Sequence, residues 1–235
     1  MRVLITFLTL LLAATASAQQ ARYEAGKHYA VIDPPVSTDA EAGEVEVVEV
    51  FSYLCPHCYR FHPFISKWVE NAPDNVEYRA KHAMFNRLWE AYARAYITAK
   101  SMGIADQAHA DMFEAIHEER KGFRNMEQIA EFYSNYGVSK DDFLSTSQSF
   151  SVDAKVRKND NRTRRYGITG TPTLIVAGKY RISSNDYIKE FNDYLNVADY
   201  LVELETAAAD TDSDAAANQQ QSQASTEAAA GSDGG

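Results

Sequence analysis

The only two cysteines of this 235-residue chain, Cys55 and Cys58, stand in "VVEVFSYLCPHCYRF", separated by Pro56 and His57. Such a pair can be a structural staple, half of a metal site, or a reactive dithiol. A CxxC disulfide closes a very small ring, restricts the unfolded chain little and so stabilises little. Zinc needs further ligands, and no second cysteine pair exists, so no metal is assigned. The reactive dithiol is the reading that the surrounding residues support. With Cys55 at a helix N-cap, Pro56 takes the first helical position, where its missing N–H costs nothing. Cys58 then lies one turn on, its sulfur on the same side as that of Cys55. The Cys55 sulfur meets unpaired backbone N–H groups and the positive end of the helix dipole, which favour a thiolate. His57, in the same turn, can add a hydrogen bond or a positive charge.

This placement bears on redox poise. A disulfide carries no charge to stabilise, so whatever favours the thiolate favours the reduced form. Lowering a cysteine pKa from about 8.5 to about 4 would favour the dithiol roughly a thousandfold at neutral pH, or about 90 mV for two electrons. The effect exists above the lowered pKa and fades as pH falls through it. A pair built this way gives its disulfide away.

Two more positions could serve such a site. Glu49 sits mid-strand among Val47, Val48, Val50 and Phe51. If it faces inward, it can accept the proton of the inner sulfur, Cys58; the alternative is an outward-facing strand residue. Pro172 begins the apolar run in "GITGTPTLIV". A cis proline there would leave the backbone of Thr171 free to pair with an extended peptide; the alternative is an ordinary strand-start proline.

The elements that must position these residues can be read from periodicity. "VEVVEVFSYL" (45–54) is a Val- and aromatic-rich buried strand, "CYRFHPFISKWVENA" a helix with a kink point at Pro63, and "NVEYRAKHAMF" (75–85) a second strand, which together give a βαβ unit. Five helical stretches follow, punctuated by Gly103, Gly122, Gly137 and Gly167, with caps at Asn125 and Ser139. The basic "KVRKNDNRTRR" (155–165) reads as the polar face of the last of these. Strands return in "TPTLIVAGKYRI", turned at Ala177-Gly178-Lys179, and "SNDYIKEFNDYLNVADYLVELE" is a closing amphipathic helix.

The ends have a different character. "VLITFLTLLLAATASA", after Met1-Arg2, has the basic start, apolar run and A-x-A ending of a secretory signal peptide (1–18), cleaved near Ala18. From Thr206 to Gly235 there is no Lys, Arg, Leu, Ile, Val, Met or aromatic residue. This acidic tail (206–235) has nothing to bury and is expected to be disordered. The formal net charge is -10, and no basic stripe dominates, which argues against nucleic acid as a partner. Export would put the cysteines in an oxidising compartment, where disulfides persist.

"FSYLCPHCYRF" with "GTPTLIVAGKY", and "YEAGKHY" near the start, resemble the DsbA family of exported thiol:disulfide oxidoreductases over about residues 22–203. The resemblance implies an α/β, thioredoxin-like fold interrupted by an inserted all-helical domain. The thioredoxin-like part would span 19–85 and 166–205, and the insertion 86–165. It implies Cys55 as the attacking cysteine, Cys58 as its buried partner, and Pro56 and His57 as the residues between them. Thr171 and Pro172 would be the substrate-binding residue and its cis proline, and Glu49 the buried acid. It also implies a periplasmic monomer without cofactor, with reduced exported proteins as substrates and a DsbB-type membrane quinone reductase as reoxidant. The resemblance also implies a low-pKa cysteine and an oxidising couple. The chain departs from the family pattern on the second strand. The lysine that well-studied members place two before a histidine is Ala80 here, before His82, with Arg79 and Lys81 on either side. The segment from Arg181 to the last helix is also short, which implies a shallower peptide groove. The other functions compatible with the sequence are a disulfide isomerase or reductase, and an exported chaperone-like binding module. Isomerases of this type carry a separate dimerisation domain, for which the stretch before Val45 leaves no room.

Overall fold

The computed structural model describes residues 22–230, with side chains to Thr211; the expected signal peptide lies outside the described residues. Five strands form one mixed sheet: β1 (Ala30–Val31), β2 (Val45–Phe51), β3 (Val76–His82), β4 (Thr173–Val176) and β5 (Tyr180–Ile182), in the order β1-β5-β4-β2-β3. β2 runs parallel to β3 and antiparallel to β4, and β5 is antiparallel to both β4 and β1. Helix α1 (Pro56–Glu70) connects β2 to β3, and continues through Pro63. Between β3 and β4 lie α2 (Arg87–Ser101), α3 (Ala105–His117), α4 (Met126–Tyr133), a 3-10 turn (Ser134–Tyr136), α5 (Lys140–Ser147) and α6 (Phe150–Arg165). Helix α7 (Phe191–Ala230) closes the chain.

β2 is buried along its whole length, so its alternating side chains feed two cores. Val45 and Val47, with Leu174 and Val176, pack under Phe61 and Ile65 of α1 and Leu201 of α7. Val48 and Val50, with Ile175, face Ile32, Val36 and Tyr166. At the end of β2 the chain enters the helical core, where Phe51 and Tyr53 pack among Tyr92, Tyr96 and Phe113. The residues leading into Cys55 are thereby anchored in both layers.

The structure differs from the sequence reading at four places. The short strand β1 has no hydrophobic run to announce it; it exists by pairing Ala30 with Arg181 and Val31 with Tyr180. The closing helix starts at Phe191 rather than at residue 184, because the Asn185 carboxamide accepts from the Tyr187 and Ile188 N–H groups and holds a turn instead. The basic stretch of α6 is not purely a solvated face: Asn159, Arg162 and Thr163 are buried against the sheet. The fourth is the tail, whose backbone to Ala230 continues α7 rather than being without structure. Alanine favours helix, and Ala207 to Thr211 are all exposed, so backbone propensity rather than burial sustains it there.

Candidate active site

The turn before the cysteines is held by buried side chains. Cys55 N–H donates to the Ser52 carbonyl (3.0 Å), and Leu54 N–H to the Ser52 hydroxyl (3.2 Å). The Tyr53 N–H donates to Nε2 of His82 (3.1 Å), whose Nδ1 lies 2.7 Å from the Ala83 carbonyl and so carries the proton. Burial pushes the His82 pKa down to about 3, which keeps the ring neutral and able to accept. Nε2 of His117 lies 2.8 Å from the Tyr53 carbonyl, and the Tyr53 hydroxyl 2.8 Å from Nδ1 of His109. Three histidines therefore fix one residue, two before Cys55. Sequence reasoning assigned them no chemistry, since their long-range partners, 29 to 64 residues away, leave no periodic trace.

Cys55 is the N-cap of α1 in extended conformation, with Pro56 in the first turn. Both cysteines are free thiols; Cys55 is 7 % exposed and Cys58 fully buried. The Cys55 Sγ lies 3.4 Å from the Thr171 carbonyl, across a separation of 116 residues, and the Thr171–Pro172 bond is cis. The Cys55 pKa is lowered to about 5. The largest cause is the Cys58 thiol as hydrogen-bond donor; burial opposes it, and Thr171 and the backbone N–H groups of Cys58 and His57 add to it. The Cys58 thiol is pushed strongly upward by burial, then by the neighbouring Cys55 and, further off, Glu49. The pair is therefore asymmetric, with one sulfur built to be an anion and the other to hold a proton.

His57 is exposed, and its Nδ1 accepts from the Arg60 guanidinium (2.9 Å), which requires that nitrogen to be unprotonated. Its contribution to the Cys55 anion is its backbone N–H; the ring is turned to Arg60.

Glu49 faces inward, 3 % exposed. Burial raises its pKa to about 7, against the pull of a 2.5 Å hydrogen bond donated by the Tyr78 hydroxyl. In the β2–β3 register Val47 lies opposite Tyr78 and Glu49 opposite Ala80. Tyr78 and Ala80 share a parity, while Arg79 and Lys81 have the other one and meet Glu46, Asp39 and Arg162 on the far face. Neither Arg79 nor Lys81 replaces the missing lysine; a phenol does. Strand parity is the signal that could have found Tyr78, because only positions 76, 78, 80 and 82 of β3 share the face of Glu49.

Comparison with known proteins agrees with this geometry. A family model described as a DSBA-like thioredoxin domain matches residues 76–196. The thiol:disulfide interchange protein DsbA of Pseudomonas aeruginosa is 39% identical over 193 residues, covering 82% of this chain and 90% of that protein. Its counterpart in Pseudomonas syringae pv. tomato is 41% identical over 194 residues, with the same two coverages. Among solved structures, Pseudomonas aeruginosa DsbA superposes with a TM-score of 0.75 at 39% identity, over 80% of this chain and 97% of that one. The oxidoreductase DsbA of Xylella fastidiosa gives 0.74 at 33% identity, over 79% and 98%. A sheet split by five helices, with a cysteine pair at the N-terminus of its first helix, is the thioredoxin-like fold with a helical insertion. On sequence and on fold, this chain is a disulfide oxidoreductase belonging to the DsbA family of thiol:disulfide interchange proteins.

Proposed function

We propose that the Cys55–Cys58 disulfide is the oxidant for newly exported proteins in the periplasm. A substrate thiolate attacks the Cys55 sulfur; the Cys55–Cys58 bond breaks, and Cys58 leaves with the electron pair. Its high proton affinity is met by Glu49, whose pKa of about 7 lets it give a proton here and take it back on reoxidation. A second substrate thiolate then attacks the substrate sulfur of the mixed disulfide, and Cys55 leaves as a thiolate. Two electrons pass to the pair and the substrate gains a disulfide. The Thr171 N–H, which has no partner among the described residues, is available to an extended substrate segment. Pro56 starts the helix that presents Cys55, His57 supplies an N–H, and Pro172 sets the facing strand.

The observation that carries this direction of electron flow is the placement of Cys55 at the N-cap of α1, facing the Cys58 thiol and the N–H groups of His57 and Cys58, which lowers its pKa to about 5. At pH 7 that favours the reduced form about a hundredfold over an ordinary thiol, or ~60 mV for two electrons. The chain acts as a monomer, is delivered by a signal peptide cleaved near Ala18, and is reoxidised by a DsbB-type membrane quinone reductase. The test mixes the oxidised protein with a reduced, unfolded thiol protein and follows loss of substrate thiols. Cys55→Ser should abolish the transfer. A couple no more oxidising than glutathione would overturn the proposal.

A further inference from the structure

Beyond the edge of β3, away from the cysteine pair, the sheet and helices α2 and α6 enclose a cleft of about 330 Å³. Five cations line it: Arg79, Lys81, Lys100, Lys155 and Lys158; Asp39 is the one acid among its lining residues. This is an unusual grouping in a chain of net charge -10. Ordinary surface cations are balanced by nearby carboxylates, and here the balance is incomplete. Asp39 is already committed to Lys158 (3.1 Å) and to Arg162 behind the cleft. Arg79 is held by Glu77 and Glu46. Lys155 reaches only the Ser101 hydroxyl (2.8 Å), and Lys100 only the face of the Tyr96 ring (5.9 Å). Lys81, half-buried, has no hydrogen bond or ion pair among the described residues.

We propose that this cleft binds a phosphate-class oxyanion, with Lys81 at its floor and Lys100 and Lys155 at its rim. Three ammonium groups that form no ion pair among the described residues line one concavity, and they match an anion with several acceptor oxygens and more than one negative charge. Charge-assisted hydrogen bonds to such oxygens are the stronger kind, and an ammonium half out of water gains more from an anion than an exposed one does. Burial and the neighbouring Arg162 depress the Lys81 pKa against the opposing pull of Glu46 and Asp39, neither of which reaches it as an ion pair. The cleft volume admits phosphate, pyrophosphate or the head of a phosphate ester. The same chemistry is offered by a free anion and by an anionic phospholipid headgroup.

The test is calorimetric titration of the full chain with sodium pyrophosphate at constant ionic strength, with chloride as control, beside sedimentation with phosphatidylglycerol and with phosphatidylcholine vesicles. Saturable pyrophosphate binding, weakened at least about tenfold by Lys81→Met, supports the site with a free anion as its occupant. Binding to phosphatidylglycerol vesicles alone, lost in the same variant, supports it with a lipid headgroup as occupant. Lys100→Met, at the exposed rim, repeats the measurement should Lys81→Met fold poorly. Absence of binding in both arms, or binding that neither substitution weakens, overturns the proposal.

Discussion

At the scale of single residues, the site depends on where two protons rest. Cys55, lowered to about 5, is a thiolate throughout the neutral range. Titrating thiolate ultraviolet absorbance of the reduced protein should give a midpoint near that value, with the signal lost in Cys55→Ser. The sign follows from the direction of the shift. A depressed pKa stabilises the folded, reduced protein above the ordinary thiol value, and that contribution is lost as pH falls through the folded value, so the window runs from about 9 down to about 5. Reduced protein should therefore lose stability relative to Cys55→Ser as pH is lowered through that window. Glu49 has the opposite sign. Its pKa is raised from 4.5 to about 7, so the folded state holds a proton that the unfolded state has released, and the cost is complete above neutrality and absent below the unfolded value. Glu49→Gln should stabilise the protein at pH 8 by up to about 3 kcal/mol and by almost nothing at pH 4, as read from urea unfolding. Tyr78→Phe removes the hydrogen bond that holds Glu49 down. It should raise the Glu49 pKa further, seen as an alkaline shift in the pH profile of mixed-disulfide formation.

At the scale of elements, helices are placed by their caps and strands by their register. Asn86 caps α2 by accepting from Leu88 N–H and Trp89 N–H, both at 3.0 Å. Asn86→Ala should cost about 1 kcal/mol in chemical denaturation while leaving the Cys55 titration in place. Local signals of this kind made much of the architecture legible in advance. The Val-rich β2, the proline-started α1, the caps at Asn125 and Ser139, and the turn after Val176 all stand where short-range pattern put them. What stayed hidden depends on partners distant in sequence. β1 is a strand only because β5 lies beside it, and Arg162 is buried because Asp39 and the Ser37 carbonyl come to meet it. The same division holds inside the site. The cysteines and the proline are visible as spacing. The His82, His117 and His109 clamp on Tyr53, and the phenol on Glu49, exist only in three dimensions.

At the scale of the whole molecule, the docking of helix α7 can be followed as far as Thr206. Glu205 accepts from Lys179 and from the Tyr180 hydroxyl, and Asn75 donates to the Thr206 hydroxyl (2.9 Å), so helix α7 is docked through Thr206. Truncation after Thr211 should leave the thermal midpoint and the oxidase rate unchanged, whereas truncation after Leu204 should lower the midpoint. The wider topology also has a consequence in time. β2 and the cysteine pair come early in the chain, yet the antiparallel neighbour of β2 is β4, with Val47 opposite Val176, and the carbonyl facing Cys55 belongs to Thr171. A chain emerging N-terminus first thus carries both thiols into its surroundings well before it can complete the sheet that tunes them, because pairings so far apart in sequence close late. Through that interval the tuning of Cys55 rests on Cys58 and the N–H groups of α1 without Thr171, and the molecule is itself a client in need of oxidation before it becomes an oxidant.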